Sequence, residues 1–144
     1  MSLALAAYRA ATTLLEPLAP ALLRARMRRG KEDPARLPER LGIASAPRPP
    51  GRLVWLHGAS VGEGLSLLPL VQALAAADPA LNLLVTSGTR TSAELLGRRL
   101  PPGAFHQFAP VDGPRATACF LQHWRPDLAV FAESELWPNL ILGA

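Results

Sequence analysis

A chain of 144 residues has room for one core of ordinary domain size and not for two. Its 49% hydrophobic content and mean hydropathy of +0.17 exclude a disordered tail, and an aromatic fraction of 6% leaves packing mainly to Leu, Ala and Val. The net charge of +4 divides unevenly at Gly51, with nine basic against four acidic residues before it and six against seven from it onward, whereas a nucleic-acid-binding domain carries its positive charge on the folded unit, interleaved with aromatics.

Residues 1–23 are mostly apolar but include Arg9, Glu16, Pro17 and Pro20. A spanning helix needs about 20 predominantly apolar residues, and two charges and two prolines inside the run argue against one. No basic region precedes the run, which argues against a cleaved secretory signal. Arg24, Arg26, Arg28, Arg29 and Lys31 follow. The pattern predicts a membrane-associated helix at an anionic surface, each nearby cation contributing about 1 kcal/mol, with the cluster on the cytoplasmic side. The alternative is a helix packed on the globular domain with a solvated basic end. Residues 44–52, ASAPRPPGR, read as a Pro-rich linker. The expected division is an N-terminal segment, 1–50, and a folded domain, 51–144.

From Arg52 onward, short apolar runs alternate with helical patterns. Leu53-Val54-Trp55-Leu56 has the length and continuous apolarity of a strand buried on both faces. Leu67, Leu68, Leu70, Val71 and Leu74 follow at helical spacings, with Pro69 marking a kink or irregular turn. Leu81–Thr86 predicts a second strand and Thr91–Leu100 a second helix. Phe105–Phe108 predicts a third strand, ending in the turn Pro110-Val111-Asp112-Gly113-Pro114; Arg115–Trp124 predicts a helix and Leu128–Phe131 a fourth strand. This order predicts a Rossmann-like parallel sheet with helices on both faces. The chain stops within an expected helix, which reads as a fragment of a longer protein. Cys119, beside Phe120 and Leu121, is expected to be a buried reduced thiol in a cytosolic setting. Three scattered histidines without a Cys/His pair argue against structural zinc.

In a parallel α/β sheet, ligands gather at the carboxyl ends of the strands. The first such end is His57-Gly58-Ala59-Ser60-Val61-Gly62-Glu63-Gly64, which matches neither the dinucleotide fingerprint nor a P-loop. Its glycines permit a tight turn and close backbone approach to a ligand. Ser60-x-x-Glu63 fits a capping box, in which Glu63 satisfies a backbone donor; it also fits a carboxylate facing the crevice as a general base. Spacing leaves both open. At the fourth strand end, Glu133-Ser134-Glu135-Leu136-Trp137-Pro138-Asn139 offers two acids, one for a site and one for capping the next helix, with Trp137 a possible core anchor. Thr86-Ser87-Gly88-Thr89-Arg90 suits either a phosphate contact or a helix cap with a solvated arginine.

Taken together, Trp55 to Glu63, the Pro-x-Asp turn at Pro110–Asp112 and Glu133 to Asn139 resemble the N-terminal domain of the 3-deoxy-D-manno-octulosonic acid (Kdo) transferases of lipopolysaccharide synthesis. The resemblance covers residues 36–144 and begins near Glu39-Arg40-Leu41-Gly42. It implies the acceptor half of a GT-B glycosyltransferase that moves Kdo from CMP-Kdo to a lipid A precursor, lipid IVA, with inversion. The site it implies has Glu63 as general base and Glu133 as a second carboxylate supporting the transition state. It also implies acceptor contacts at Ser60, Gly62, Arg90, Glu135 and Asn139, although the loop Thr86–Arg90 is poorer in Thr than is usual in the family. No metal or cofactor is expected, CMP-Kdo being held by a C-terminal domain. The implied place is the cytoplasmic face of the bacterial inner membrane, with the membrane surface and lipid acceptor as partners and no nucleic acid. The 144-residue chain alone is expected to lack transferase activity. Competing functions are another GT-B transferase with a lipid acceptor, such as one using a UDP-sugar, and a non-catalytic α/β module that docks on membranes.

Overall fold

The computed structural model describes residues 2–132 and 137–144. Its helices are α1 (Leu3–Leu15), α2 (Ala19–Arg28), α3 (Val61–Ala77), α4 (Arg90–Arg99), α5 (Pro114–Trp124) and α6 (Pro138–Gly143). The strands are β1 (Leu53–His57), β2 (Asn82–Ser87), β3 (Ala104–Phe108) and β4 (Leu128–Phe131), and two 3₁₀ turns cover Glu16–Leu18 and Pro34–Leu41. Two compact units result: Met1–Ser45, Pro110–His123 and Leu136–Ala144 in one, Ala46–Ala109 and Trp124–Glu135 in the other.

The second unit is built on a four-stranded sheet in the order β3-β2-β1-β4, every pair parallel. The expected parallel α/β architecture is therefore present. Each residue of β1 is buried, as its unbroken apolarity requires. Because strand side chains alternate, Val54, Leu56, Leu83 and Val85 share one face and form the core with Leu67, Leu68 and Val71 of α3 and Leu96 of α4. Burying each such side chain contributes about 1.5–3 kcal/mol. The alternate face carries aromatics: Trp55 meets Phe131 edge-on at 5.1 Å, and Trp124 lies 5.2 Å from Phe105 while its indole N–H donates to Gln107 Oε1 at 2.9 Å.

Helix α3 continues through Pro69 to Ala77. The Pro-rich stretch 44–52 is more than a spacer. Arg48 Nε donates to the Trp124 carbonyl at 2.6 Å, and its Nη1 donates to the carbonyls of Pro49 at 2.8 Å and Gly51 at 3.2 Å.

In the first unit the apolar run does not form one helix. Pro17 and Pro20 each sit in the opening turn of a new element, where a missing N–H costs nothing, so α1 ends at Leu15 and α2 starts anew. Among the described residues no helix is long and apolar enough to cross a membrane. The amphipathy of α1 is inverted. Leu3, Leu14 and Leu15, with Leu18 and Leu22 beyond them, are exposed, while Tyr8, Thr12 and Glu16, spaced i, i+4, i+8 on one face, reach into the unit. Tyr8 donates to Asp112 Oδ2 at 2.7 Å, Thr12 Oγ1 accepts from Asn139 Nδ2 at 3.0 Å, and Glu16 accepts the backbone N–H groups of Arg115 and Ala116 at 3.1 and 2.8 Å, capping α5. Burial first, then the bond and charge of Asp112, push the Tyr8 hydroxyl up to about 12, so it is a donor at neutral pH.

Cys119 corrects an expectation: it is exposed. Ala116, Thr117, Phe120 and Trp124 are the buried positions of α5, and at helical spacing they turn Cys119 outward with Arg115 and Ala118.

Candidate functional site

The central strand β1 pairs with β2 on one side and β4 on the other, bringing His57 beside both Thr86 and Phe131. The chain thus leaves β1 for one side of the sheet and later returns on the other, and the carboxyl end of β1 borders the switch point where such sheets bind ligands. The turn from β1 into α3 carries Ser60, Gly62 and Glu63 to that end.

Both sequence readings of Glu63 meet in its geometry. Ser60 is the N-cap of α3 and its Oγ accepts the Glu63 N–H at 3.2 Å. In return Glu63 Oε2 accepts the Ser60 N–H at 3.1 Å, completing the capping box. The carboxylate is half-buried rather than sealed, and its second oxygen has no hydrogen-bond partner among the described residues. Since a carboxylate has about four acceptor sites, the box orients Glu63 without saturating it.

The glycines of this turn act for separate reasons. A Cβ on Gly58 would stand 2.8 Å from the carbonyl carbon of Glu63 and from Gly64 N, so Gly58 lets the first turn of α3 fold down over the strand end. Gly64 faces Leu96 of α4, where a Cβ would lie 3.3 Å from Cδ1. Gly62 has open space around it. Gly58→Ala is therefore expected to lower stability by about 1–3 kcal/mol through overpacking, whereas Gly62→Ala changes it little; urea unfolding of both variants measures the contrast.

Sequence reasoning missed the polar group beneath this turn. Trp55 Nε1 donates to Thr86 Oγ1 at 2.8 Å, and Thr86 Oγ1 lies 2.8 Å from His57 Nδ1. One hydroxyl thus joins the indole of Trp55 to the imidazole of His57. Only the spacing of Trp55 and His57, two residues apart in a strand, put both on one face.

Arg90 opens α4 behind its N-cap Thr89, whose Oγ1 accepts the Ser92 N–H at 3.1 Å, and its side chain is exposed. The β2–α4 loop is joined to the β1–α3 turn by Gly88 N–H donating to the Ala59 carbonyl at 3.1 Å. Ser60, Gly62, Glu63 and Arg90 thus belong to two connected loops of one unit. Asn139 belongs to the other unit, where it is buried and holds internal partners: its Nδ2 donates to the Asp112 carbonyl at 2.7 Å and to Thr12 Oγ1 at 3.0 Å. Asp112, from the Pro-x-Asp turn, accepts the N–H groups of Asn139 and Leu140 at 3.2 and 2.9 Å. Glu133 and Glu135 lie outside the described residues. No group of three or more His, Cys, Asp or Glu side chains among the described residues is arranged to hold a metal ion.

The profile of the 3-Deoxy-D-manno-octulosonic-acid transferase (kdotransferase) family matches residues 35–144. The chain belongs to this family. A protein of Arabidopsis thaliana named "Probable 3-deoxy-D-manno-octulosonic acid transferase, mitochondrial" is 44% identical over 137 residues, covering 95% of this chain and 31% of its own length. The 3-deoxy-D-manno-octulosonic acid transferase of Rickettsia bellii is 42% identical over 128 residues, 89% of this chain and 31% of its own. That of Haemophilus influenzae is 38% identical over 109 residues, 74% of this chain and 25% of its own. The chain therefore spans less than a third of the length of these Kdo transferase relatives. The family match includes both the capping-box turn and the Asp112 turn, and so takes in both compact units.

Proposed function

We propose that this chain is the acceptor-binding part of a GT-B Kdo transferase, with helices on both sheet faces and its globular domain within 51–144, that transfers Kdo from CMP-Kdo to a lipid A precursor. The observation that carries the reading is Glu63: a half-buried carboxylate at the carboxyl end of the central strand, oriented through one oxygen while the other makes no hydrogen bond to a described residue. In this reading the second carboxylate oxygen removes the proton from an acceptor hydroxyl as the hydroxyl oxygen attacks the anomeric carbon of Kdo. The bond to CMP breaks on the opposite side, which inverts the centre, and CMP departs as a phosphate monoester that needs no protein acid. Glu133 supports the developing charge, and Ser60, Gly62, Arg90 and Glu135 contribute to the acceptor side. No step calls for a metal or organic cofactor.

The partner surface in this reading is the cytoplasmic face of the bacterial inner membrane. What supports it is the inverted amphipathy of α1: the polar stripe is consumed by internal hydrogen bonds and the leucines face outward. Arg24, Arg28, Arg29 and Lys31, which follow in the chain, are exposed as well. Apolar burial and attraction to anionic headgroups then act together.

The test places the chain, in a polypeptide of its relatives' full length, on vesicles containing lipid IVA. Kdo transfer from CMP-Kdo is expected, with none from UDP-sugars. Co-sedimentation is expected to fall at least about tenfold when Leu14 and Leu18 are both changed to Glu, each buried leucine being worth about 1.5–3 kcal/mol. Transfer from a UDP-sugar, or vesicle binding untouched by the double change, would overturn the respective half of the reading.

A further inference from the structure

Behind the two connected loops lies a line of hydroxyls ending on an imidazole. Thr89 Oγ1 is 2.7 Å from Ser92 Oγ, Ser92 Oγ is 2.8 Å from Ser87 Oγ, and Ser87 Oγ is 2.8 Å from His106 Nε2 on the neighbouring strand β3. Ser87 and Ser92 are buried, so their hydroxyls look to one another for partners rather than to water. Thr89 Oγ1 also accepts the Ser92 backbone N–H at 3.1 Å, and Ser92 Oγ lies 2.9 Å from the Thr89 carbonyl oxygen as well, so Ser92 ties the first turn of α4 to Ser87 and, through it, to His106. Such a chain polarises along its length and behaves as one unit.

What this line fixes is the backbone between Ser87 and Ser92. That stretch contains Gly88, whose N–H donates to the Ala59 carbonyl at 3.1 Å, one residue before the cap that orients Glu63, and Arg90 at the start of α4. We propose that His106, acting through Ser87, Ser92 and Thr89, is a positioning residue that holds the Arg90 loop and, through Gly88 and Ala59, the Glu63 turn in their working geometry. The proposal rests on the transferase reading for its kinetic consequence but not for its structural one.

Two measurements separate these. In the 144-residue chain, amide hydrogen exchange at Gly88 and Ser92 is expected to quicken at least about fivefold in both His106→Ala and Ser92→Ala, because the loop loses its tether and opens locally. In a chain of the relatives' full length, each change is expected to lower kcat/KM for the acceptor about tenfold, with the KM for CMP-Kdo unchanged. The double variant is expected to fall no further, because the two side chains belong to one hydrogen-bonded line that either change already breaks. His106→Gln, which restores a side-chain amide near Nε2, is expected to recover part of the exchange protection and of the rate. Unchanged exchange in the single variants, or additive kinetic losses, would overturn the positioning role; if Ser92→Ala fails to fold, His106→Gln and His106→Ala decide it. Absence of transfer by the unaltered full-length chain would sink the transferase reading while leaving the exchange result to stand or fall alone.

Discussion

Glu63→Gln is expected to lower kcat for sugar transfer by about 10²–10⁴-fold, the range for loss of a general base, with the fold retained. The substitution is chosen because the structure gives Glu63 two employments. As the third residue of α3 it returns a hydrogen bond to the Ser60 N–H, and glutamine performs that task in capping boxes as well as glutamate does. What glutamine lacks is an oxygen able to take a proton. Ser60→Ala is the complement: it removes the acceptor of the Glu63 N–H, at a cost of about 1 kcal/mol in helix stability, but leaves the carboxylate. Its effect on kcat is expected to stay within about tenfold, the cost of a less well-held base. The pair is measured with saturating CMP-Kdo and lipid IVA in a chain of the relatives' full length, together with thermal unfolding. Glu63→Gln retaining near-normal kcat would confine the carboxylate to its cap.

Gly42→Ala is expected to destabilise the chain by about 2–5 kcal/mol, combining about 1–2 kcal/mol for a left-handed backbone on a non-glycine residue with about 1–3 kcal/mol of overpacking. Gly42 ends the 3₁₀ turn Pro34–Leu41 at φ 81°, and a Cβ built there would lie 2.1 Å from the Ala116 carbonyl oxygen of α5. That oxygen is backbone, so no rotamer change relieves the clash. The residues before Gly42 show why the turn must close at this place. Glu39 is buried and accepts from Arg36 at 2.9 and 2.8 Å and from Ser45, while the Arg40 carbonyl accepts the Val111 N–H at 2.8 Å. Glu32, also buried, pairs with Arg26 at 2.7 Å and Arg40 at 3.4 Å; burial pulls the Arg40 guanidinium down and Glu32 holds it up. Urea unfolding of Gly42→Ala measures the loss, and a change below about 1 kcal/mol would show that α5 yields to the added methyl more easily than a packed helix should.

The four strands, the order of the helices between them and the capping-box turn were legible in the sequence because each depends on local pattern. Continuous apolar runs of β1 and β2 length bury on both faces, and Ser60-x-x-Glu63 closes within one helical turn. The family was legible for the same reason, since its motifs are short and occur in order. Interactions at long separation were not. Cys119 stands in an apolar stretch, yet the helix phase set by Ala116, Phe120 and Trp124 turns it to solvent. Pro17 and Glu16 read as flaws in a greasy helix, whereas the fold uses the proline to break α1 and the glutamate to cap α5, a hundred residues away. The pairing of His106 with Ser87 depends on the register between β2 and β3, which apolar patterning leaves undetermined for the polar positions. Local periodicity and capping chemistry, carried in the chain itself, determined which elements form and where Glu63 begins its helix. Only packing decided which polar groups, far apart in sequence, satisfy one another once water is excluded, because that choice depends on burial and no segment has burial by itself.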